Sequence, residues 1–418
     1  MQKLEVLGAN KLKGQVKISG SKNASLPILA ATLLSNKKIN LKNLPRVRDI
    51  ETMLALLESL GSEIKLKKHQ TIINNRKQNK KFASYNLVKT MRAGILVLGP
   101  LLAKYGVAKV SLPGGCAIGT RPIDIHLKAL SKLGVKYKIV QGYVLAKAPR
   151  GLKGNKIHFP KISVGATENL IIAASLAKGT TLLSNCAVEP EIIDLINFLN
   201  KMGCNIRWIS KRTIKVVGVS RLNEINHSVM FDRIEAGTYL IAAALTEGNL
   251  KIQNIDPKII KTEIDILKKI GLKIRIKKKE LQVIGKKKIK SLNIKTAPYP
   301  GFPTDLQAQF MVLMTQANGI SKIKENIFEN RFMHVPELLR MGANISVNGG
   351  VAKVSGVQNL KGAQIMATDL RASISLIIAA LRAEGESYIS RIYHLDRGYE
   401  QIEQKFQDCG ANIERITN

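Results

Sequence analysis

A helix that ends on an apolar residue followed by glycine recurs six times along this chain. Glycine is typical of a helix C-cap, because it adopts a left-handed backbone without steric cost. The glycines follow one another at nearly constant steps of about 70 residues, and this period predicts six copies of one supersecondary module. They are Gly61, Gly134, Gly203, Gly271, Gly342 and Gly410.

Each module also contains an earlier helix that is rich in alanine and apolar nearly all round. Such a helix is expected to be buried on every side. Other segments, such as Lys273 to Lys277, alternate apolar and polar residues as half-buried strands do. We therefore expect an α/β fold in which sheets and amphipathic second helices surround buried helices. The buried helices are predicted at 24–34, 93–103, 167–177, 235–245, 306–315 and 372–381.

The length of 418 residues favours two or three domains. The periodic pattern breaks between Gly218 and Met230, after the third module. We expect a first domain at 22–229 with three modules, and a second domain formed by 1–21 and 230–418. The segment 1–21 is a candidate to complete the last module. An active site is expected in the cleft between the domains.

The chain is strongly basic, with 66 Lys and Arg against 30 Asp and Glu, a net charge of +36. Lysine outnumbers arginine 48 to 18 and is spread over strand-like and loop-like segments, which favours a compositional bias at solvated positions. The alternative is a nucleic-acid-binding surface. Aromatic residues make up only 5% and form no interleaved basic and aromatic patch in the sequence, which counts against it.

No apolar run approaches the roughly 20 residues needed to cross a bilayer, and the N-terminus lacks the pattern of a signal peptide. A cytoplasmic protein is expected. The four cysteines show no paired spacing, so neither a disulfide framework nor a zinc site is indicated. The six histidines show no metal-ligand spacing either. His126 and His394 flank arginine-containing loops and are candidates for a site, although a structural histidine is the commoner case.

All six buried helices begin with polar residues. Helix N-termini carry unpaired N–H groups and partial positive charge, so they bind anions. A cation there is locally unfavourable, which makes Lys22, Arg92 and Arg371 the informative members. Thr304 and Asp232 are predicted to be N-caps. The polar starts are Lys22 and Asn23; Arg92; Ser163, Gly165 and Thr167; Asp232 and Arg233; Thr304 and Asp305; and Asp369 and Arg371.

Arginines recur in the loops before the second helices. Arg48, Arg121 and Arg397 each lie thirteen residues before the C-cap glycine of their module, and Arg331 lies eleven before Gly342. One such arginine alone is typical of a surface ion pair. Four at related positions predict a cluster of guanidinium groups around a ligand with several anionic groups, since guanidinium binds phosphate and carboxylate through paired hydrogen bonds.

The second module differs by an inserted segment, 111–120, which contains Pro113-Gly114-Gly115-Cys116. Its glycines and proline predict a loop that brings backbone close to a ligand. Cys116 stands five residues before Arg121 in a basic region, and such surroundings favour a reactive thiol. Cys186, Cys204 and Cys409 lie in apolar or helical contexts and are predicted to be core or surface thiols.

Together these motifs resemble the enolpyruvyl transferases, and among them the branch that acts on UDP-N-acetylglucosamine. The match runs from Gly20 to Glu400, and the Pro-Gly-Gly-Cys loop belongs to the UDP-sugar branch. The resemblance implies an inside-out α/β barrel, two domains that close over substrate, and the first committed step of peptidoglycan synthesis, with no metal or other cofactor. The motifs begin at Gly20, Pro113, Pro300, Phe328, Thr368 and Asp396.

The resemblance also implies roles for individual residues. Lys22, Arg121 and Arg397 would face the phosphate of phosphoenolpyruvate, and Arg331 and Arg371 its carboxylate, with Asn23 also at this substrate. Cys116 would protonate C3 and be the target of the epoxide fosfomycin, Asp305 would be the base for the sugar hydroxyl, and Asp369 and Arg371 would lie near the reacting carbon. Positions that match UDP-sugar contacts are Asn23, Arg92, Arg121, Pro122, Ile123, Asp124, Ile125, Lys161, Ser163, Val164, Gly165, Asp305 and Ile327.

The expected reaction is addition of the sugar 3-hydroxyl to C2 of phosphoenolpyruvate, followed by loss of phosphate from the tetrahedral ketal. A related transferase acting on shikimate 3-phosphate is the nearest alternative, and a basic nucleic-acid-binding protein is the alternative from another class. The oligomeric state is not predicted.

Overall fold

The computed structural model describes residues 2–114 and 123–417. Within them the chain separates into two compact units. The first unit contains 20–114 and 123–230, and the second contains 2–19 and 231–417. Each unit has its own cluster of buried apolar side chains. No helix of the described chain is both long enough and apolar enough to cross a membrane.

Helices account for the alanine-rich segments and for the amphipathic segments that end on glycine. Three short 3-10 helices cover Arg92–Val97, Thr304–Leu306 and Ile392–Arg397. The α-helices of the described residues are α1 (Lys22–Thr32), α2 (Arg48–Ser59), α3 (Tyr85–Val88), α4 (Leu98–Tyr105), α5 (Asp124–Lys132), α6 (Val164–Ala174), α7 (Pro190–Lys201), α8 (Arg233–Leu245), α9 (Lys261–Lys269), α10 (Gln307–Met314), α11 (Val335–Arg340), α12 (Leu370–Arg382) and α13 (Ile402–Gln407).

Strands are short, and the period-two segment that begins at Lys273 forms one of them. In the described residues they are β1 (Gln2–Leu7), β2 (Lys13–Lys17), β3 (Lys38–Lys42), β4 (Glu63–Lys67), β5 (Gln70–Asn74), β6 (Phe82–Ala83), β7 (Val107–Ser111), β8 (Lys136–Val140), β9 (Tyr143–Lys147), β10 (Lys156–His158), β11 (Thr180–Ser184), β12 (Asn205–Ser210), β13 (Thr213–Val217), β14 (Ile225–Ser228), β15 (Asn249–Gln253), β16 (Lys273–Ile276), β17 (Glu280–Ile284), β18 (Ile289–Lys290), β19 (Ile294–Lys295), β20 (Ala317–Asn318), β21 (Ile320–Lys324), β22 (Asn344–Asn348), β23 (Val351–Ser355), β24 (Gln364–Met366), β25 (Glu386–Ser390) and β26 (Asn412–Thr417).

Each module contributes a four-stranded sheet of one design. The strand after the buried helix pairs in parallel with an edge strand and antiparallel with a third strand, which also pairs with the strand after the second helix. The sheets of the first unit are β14-β3-β5-β4, β6-β7-β9-β8 and β10-β11-β13-β12. Those of the second unit are β2-β15-β17-β16, β19-β21-β23-β22 and β24-β25-β1-β26. The two-stranded pair β18-β20 stands apart.

The N-terminal segment closes the repeat within the second unit. β1 is the third strand of the last sheet, antiparallel to both β25 and β26. β2 supplies the parallel edge strand of the fourth module, beside β15. In the same way β14, at the end of the first unit, supplies the parallel edge strand beside β3. The N-terminal residues therefore serve two modules, the fourth and the sixth.

The first helix of each module is buried on almost all sides, as its composition predicts. Every residue of α8 and of α10 is buried, and α12 is buried from Arg371 to Leu381. Two of these helices begin differently from the prediction, since 92–97 and 304–306 are 3-10 turns that lead into α4 and α10. Ser111, placed in the inserted loop by the sequence pattern, is the last residue of β7.

The six C-cap glycines all have positive φ, between 84° and 103°, which confirms the helix ends predicted from the repeat. Two of them in the first unit allow a matched test. A Cβ on Gly61 would lie 3.2 Å from the Cα atom of Gln78, whereas a Cβ on Gly134 would meet its nearest atom at 3.8 Å.

Because both positions share the backbone penalty, we expect Gly134→Ala to destabilise the first unit by about 1–2 kcal/mol. Gly61→Ala is expected to cost more, since it adds crowding against Gln78. Thermal unfolding of both variants measures the difference. Equal melting temperatures for the two variants would contradict this account of the Gly61 turn.

Candidate active site

The second unit gathers two buried arginines around one aspartate. Asp305 lies in the 3-10 turn before α10 and Arg371 is the second residue of α12. Arg331 Nη2 donates to Asp305 Oδ1 at 2.8 Å, and Arg371 Nη2 donates to Asp305 Oδ2 at 3.0 Å. Both guanidinium side chains are only 4% exposed, against 26% for Asp305. The carboxylate thus joins two cations that come from separate motifs of the chain.

Arg371 is held by more than Asp305. Its guanidinium lies 5.5 Å from the ring centre of Tyr399, whose hydroxyl bonds the Thr238 hydroxyl at 3.0 Å. Burial opposes the charge on Arg371, but Asp305 and the neighbouring groups outweigh this and raise its pKa. Gln309 extends the network by donating to the Asp305 backbone carbonyl at 3.0 Å. The arginine is therefore a fixed, permanently charged group.

Asp369 caps α12. Its Oδ1 accepts the backbone N–H groups of Arg371 and Ala372, at 2.9 and 3.2 Å. The charges of Asp369 and Arg397 both act on the half-buried ring of His394, where burial and Arg397 lower the pKa and Asp369 raises it. Predicted residues from two separate motifs, at 369 and 397, therefore lie close together in this unit. Arg397 is partly buried at the end of its 3-10 turn.

The predicted N-cap role of Asp232 is confirmed, and that of Thr304 was wrong. The Asp232 carboxylate accepts the N–H groups of Ile234 and Glu235 at the start of α8. Thr304 is the first residue of its 3-10 turn, which begins after Pro303, and its hydroxyl donates to Glu325 Oε2 at 2.9 Å.

Glu325 shapes the loop that leads to Arg331. Its Oε1 accepts the Thr296 hydroxyl at 2.9 Å and the backbone N–H of Ile327 at 2.7 Å. The backbone of Ile327, a predicted UDP-sugar contact, is thus held by this carboxylate, and the residue is 37% exposed. The same carboxylate thus ties the 3-10 turn before α10 to the loop at 325–331.

In the first unit, Lys22 is the first residue of α1 and is nearly buried. Its ammonium lies 3.2 Å from Asp49 Oδ2, and Ser21 caps the helix by accepting the Ala24 N–H. The negative partner explains how a cation is tolerated at a helix N-terminus. Asn23 follows and is half-buried, whereas Arg48, at the start of α2, is exposed.

A second group in the first unit surrounds His126. Its Nδ1 accepts a hydrogen bond from Asn169 Nδ2 at 3.2 Å. The ring also packs closely on Gly165, because a Cβ atom added to that glycine would lie 3.3 Å from the ring. Burial and the charge of Arg92 lower its pKa to about 4, against an opposing effect of Asp124. His126 is therefore a neutral, structurally bonded ring that brings predicted residues from α5, α6 and the Arg92 turn together.

The other predicted UDP-sugar contacts of the first unit differ in exposure. Ser163 caps α6 by accepting the Ala166 N–H at 3.3 Å. Lys161, Val164 and Asp124 are exposed, and Asp124 lies 3.7 Å from the Lys128 ammonium. Ile123 and Ile125 are buried in the core of this unit. Cys116, Arg121 and Pro122 lie outside the described residues.

The three described cysteines are core thiols, as predicted. Cys186, Cys204 and Cys409 are all buried. Burial raises the pKa of Cys186 to about 12 and those of Cys204 and Cys409 to about 11. Since the thiolate is the reactive form, all three are inert at neutral pH.

In a Cys116→Ser variant we therefore expect a colorimetric thiol reagent to modify almost nothing in the native protein at pH 7.5. The same sample in denaturant should show the three remaining thiols. Rapid labelling of the native variant would contradict the buried placement of these residues.

One basic and aromatic cluster lies on the sheet of the second module, formed by residues that are far apart in the sequence. Lys109 Nζ lies 4.9 Å from the ring centres of both Phe82 and Tyr143. The two rings are tilted at 42° and 5.6 Å apart. The lysine that approaches both rings lies on β7, the strand between those that carry Phe82 and Tyr143.

Sequence reasoning missed Asp49, Glu325 and Tyr399. The signal for Asp49 was its place in the first turn of a helix, which is equally typical of an ordinary helix start. Glu325 carries no local signal, because its partners lie far away in sequence, and Tyr399 lies in the motif that begins at Asp396 but had no role assigned to it. Among the described residues, no group of three His, Cys, Asp or Glu side chains is placed as metal ligands would be.

Comparisons with known proteins show the family to which the chain belongs. The family model described as EPSP synthase (3-phosphoshikimate 1-carboxyvinyltransferase) matches residues 6–406. A protein of Pelagibacter ubique named UDP-N-acetylglucosamine 1-carboxyvinyltransferase is 72% identical over all of both chains. Proteins of that name from Geotalea daltonii and Rickettsia canadensis are 52% and 51% identical, again over both full lengths.

The chain belongs to the UDP-N-acetylglucosamine 1-carboxyvinyltransferase family. Solved structures also show its fold. The enolpyruvyl transferase NikO from Streptomyces tendae superposes with a TM-score of 0.91 at 23% identity, over 100% of this chain and 99% of NikO. An EPSP synthase from Acinetobacter baumannii gives 0.75 at 17%, over the full length of both. The predicted inside-out α/β fold of this carboxyvinyltransferase family is confirmed.

Proposed function

We propose that this protein transfers the enolpyruvyl group of phosphoenolpyruvate to the 3-hydroxyl of UDP-N-acetylglucosamine and releases phosphate. The observation that carries the proposal is the full-length 72% identity to a relative of that name, together with the two buried arginines at Asp305. The reaction is the first committed step of peptidoglycan synthesis, and both substrates are phosphorylated metabolites. The proposal therefore includes a cytoplasmic location.

Arg331 and Arg371 are assigned to the carboxylate of phosphoenolpyruvate. A guanidinium has five N–H donors, and the hydrogen bonds from Arg331 to described residues all come from Nη2, to Asp305 and to the Thr304 carbonyl. Nη1 and Nε of Arg331 thus remain as donors for a substrate carboxylate. A fixed cation of this kind stabilises negative charge without reorganising.

Asp305 is assigned as the base for the sugar hydroxyl. Two guanidinium groups favour its ionised form, and only the ionised form accepts a proton. Its exposed fraction leaves the carboxylate within reach of a ligand. As the hydroxyl oxygen bonds to C2 of phosphoenolpyruvate, its proton passes to this carboxylate and C3 takes a proton from an acid.

Cys116 is assigned as that acid, with Asp369 near the reacting carbon. Lys22, Arg121 and Arg397 are assigned to the phosphate, which leaves when the tetrahedral ketal collapses and C3 returns a proton. Asn23, Arg92, Ser163 and Gly165, among the predicted UDP-sugar contacts, would hold the acceptor. General acid catalysis of this kind contributes about 10²–10⁴-fold in rate.

Phosphate release distinguishes the two carboxyvinyl acceptors. Purified protein with phosphoenolpyruvate should release phosphate in the presence of UDP-N-acetylglucosamine and not with shikimate 3-phosphate, the acceptor suggested by the description of the family model. Phosphate release with shikimate 3-phosphate but not with UDP-N-acetylglucosamine would instead assign the protein to the branch that acts on shikimate 3-phosphate. A folded protein that releases phosphate with neither acceptor would refute the proposal.

A further inference from the structure

His334 is a fully buried histidine that the proposed mechanism does not use. It has no exposed surface, and neither Nδ1 nor Nε2 has a hydrogen-bond partner. It follows Arg331 by three residues and immediately precedes α11. Apolar Val335 and Leu338 on that helix are buried in the same core.

A buried ring with two unpaired nitrogens is costly for the fold. Nearly all buried polar groups in folded proteins are paired, because losing water without gaining a partner is unfavourable. An apolar side chain of similar size would avoid that cost. Packing alone therefore explains this histidine poorly. A hydrogen-bond partner that the ring gains in another state of the protein would explain it.

The candidate side-chain partner is Asp369, because α11, which begins directly after His334, packs against α12, which Asp369 caps. Burial lowers the pKa of His334 to about 4, while the charges of Asp369 and Arg331 act on the ring in opposite directions. The backbone of Arg331 also faces the ring, but without the geometry of a hydrogen bond. The ring is thus neutral, with one N–H donor and one acceptor nitrogen. On Asp369, Oδ1 accepts both N–H bonds of the α12 cap, while Oδ2 accepts none from the described residues. The unused donor on the buried ring and the unused acceptor on the half-buried carboxylate thus lie beside two helices, α11 and α12, that pack against each other.

We propose that His334 is a positioning residue, which donates a ring N–H to Asp369 Oδ2 when substrates bind and so fixes this carboxylate at the reacting carbon. The inference rests on the proposed function, because it gives Asp369 its place beside the substrate. The bond forms only in the liganded state, so it acts on the reaction more than on substrate binding. A ring that only fills space would have no such effect.

The test compares His334→Leu, which removes the polar ring, with His334→Asn, which keeps a donor. Thr181→Val is the matched control, since the Thr181 hydroxyl is also buried and unpaired but lies on β11 of the other unit. Each variant is assayed for kcat, for KM of both substrates and for melting temperature. Wild-type protein in the same assay shows whether the proposed activity itself is present.

For His334→Leu we expect kcat to fall about tenfold or more, KM values within about threefold of wild type, and a melting temperature at or above wild type. His334→Asn should recover most of kcat, and Thr181→Val should keep all of it. Wild-type kcat in His334→Leu would overturn the proposal. So would a loss of kcat and melting temperature together in both His334 variants, because that result indicates a structural role.

Discussion

Replacing Cys116 by alanine is expected to lower kcat by about 10²–10⁴-fold at neutral pH. The variant lacks the proposed donor for C3 of phosphoenolpyruvate, while the arginines that bind this substrate remain. KM should therefore change little. The measurement is phosphate release with saturating UDP-N-acetylglucosamine.

The controls are alanine variants of the three buried cysteines, of which Cys409 is a suitable first choice. Its thiol is buried and its pKa is raised to about 11 by burial, so Cys409→Ala should keep most of the activity. Cys116→Asp should remain active, since a carboxyl group donates a proton, yet should escape alkylation by fosfomycin. Full activity of Cys116→Ala would assign the proton donor to another group.

Replacing Arg371 by lysine is expected to lower kcat/KM for phosphoenolpyruvate by roughly 10- to 100-fold. Lysine keeps the charge but cannot reproduce a planar fork, and one lost charge-assisted hydrogen bond is worth about 1.5–3 kcal/mol. Arg331 still pairs with Asp305 in this variant, so the fold should survive. The effect should appear with phosphoenolpyruvate and be smaller for UDP-N-acetylglucosamine.

Arg382→Lys is the matched control on the same helix. Arg382 lies in the last turn of α12, and its guanidinium is 3.9 Å from Glu247. The same substitution there should leave kcat/KM unchanged. If Arg371→Lys and Arg382→Lys behaved alike, Arg371 would have no special contact with the substrate.

The architecture could be predicted because its signals are local. A cap glycine, an apolar helix and a period-two strand each follow from a few neighbouring residues. The helices of the repeat therefore lie close to their predicted positions, and every cap glycine has the positive φ expected of a helix C-cap. The pairing of strands within each sheet was harder to predict. The place of β2 beside β15 depends on pairing between distant parts of the chain, which no local pattern reports.

Sequence reasoning could predict which residues belong to the candidate site, but not which of them contact one another. The arginines were found from their spacing and from resemblance, but the contacts of Arg331 and Arg371 with Asp305 span 26 and 66 residues of sequence. Local rules also failed at Thr304, where the 3-10 turn starts after Pro303 and the hydroxyl bonds Glu325 instead. Asp49 resembled an ordinary acidic residue at a helix start until the structure paired it with Lys22.

The most direct test of the proposed reaction is the mass of the product formed in deuterated water. Addition followed by elimination predicts that UDP-N-acetylglucosamine becomes its enolpyruvyl ether, with solvent deuterium in the methylene group, because C3 gains and then loses a proton. Phosphate should appear in equal amount. Phosphate release with an unmodified UDP-sugar would instead show hydrolysis of phosphoenolpyruvate, and would contradict enolpyruvyl transfer by this protein.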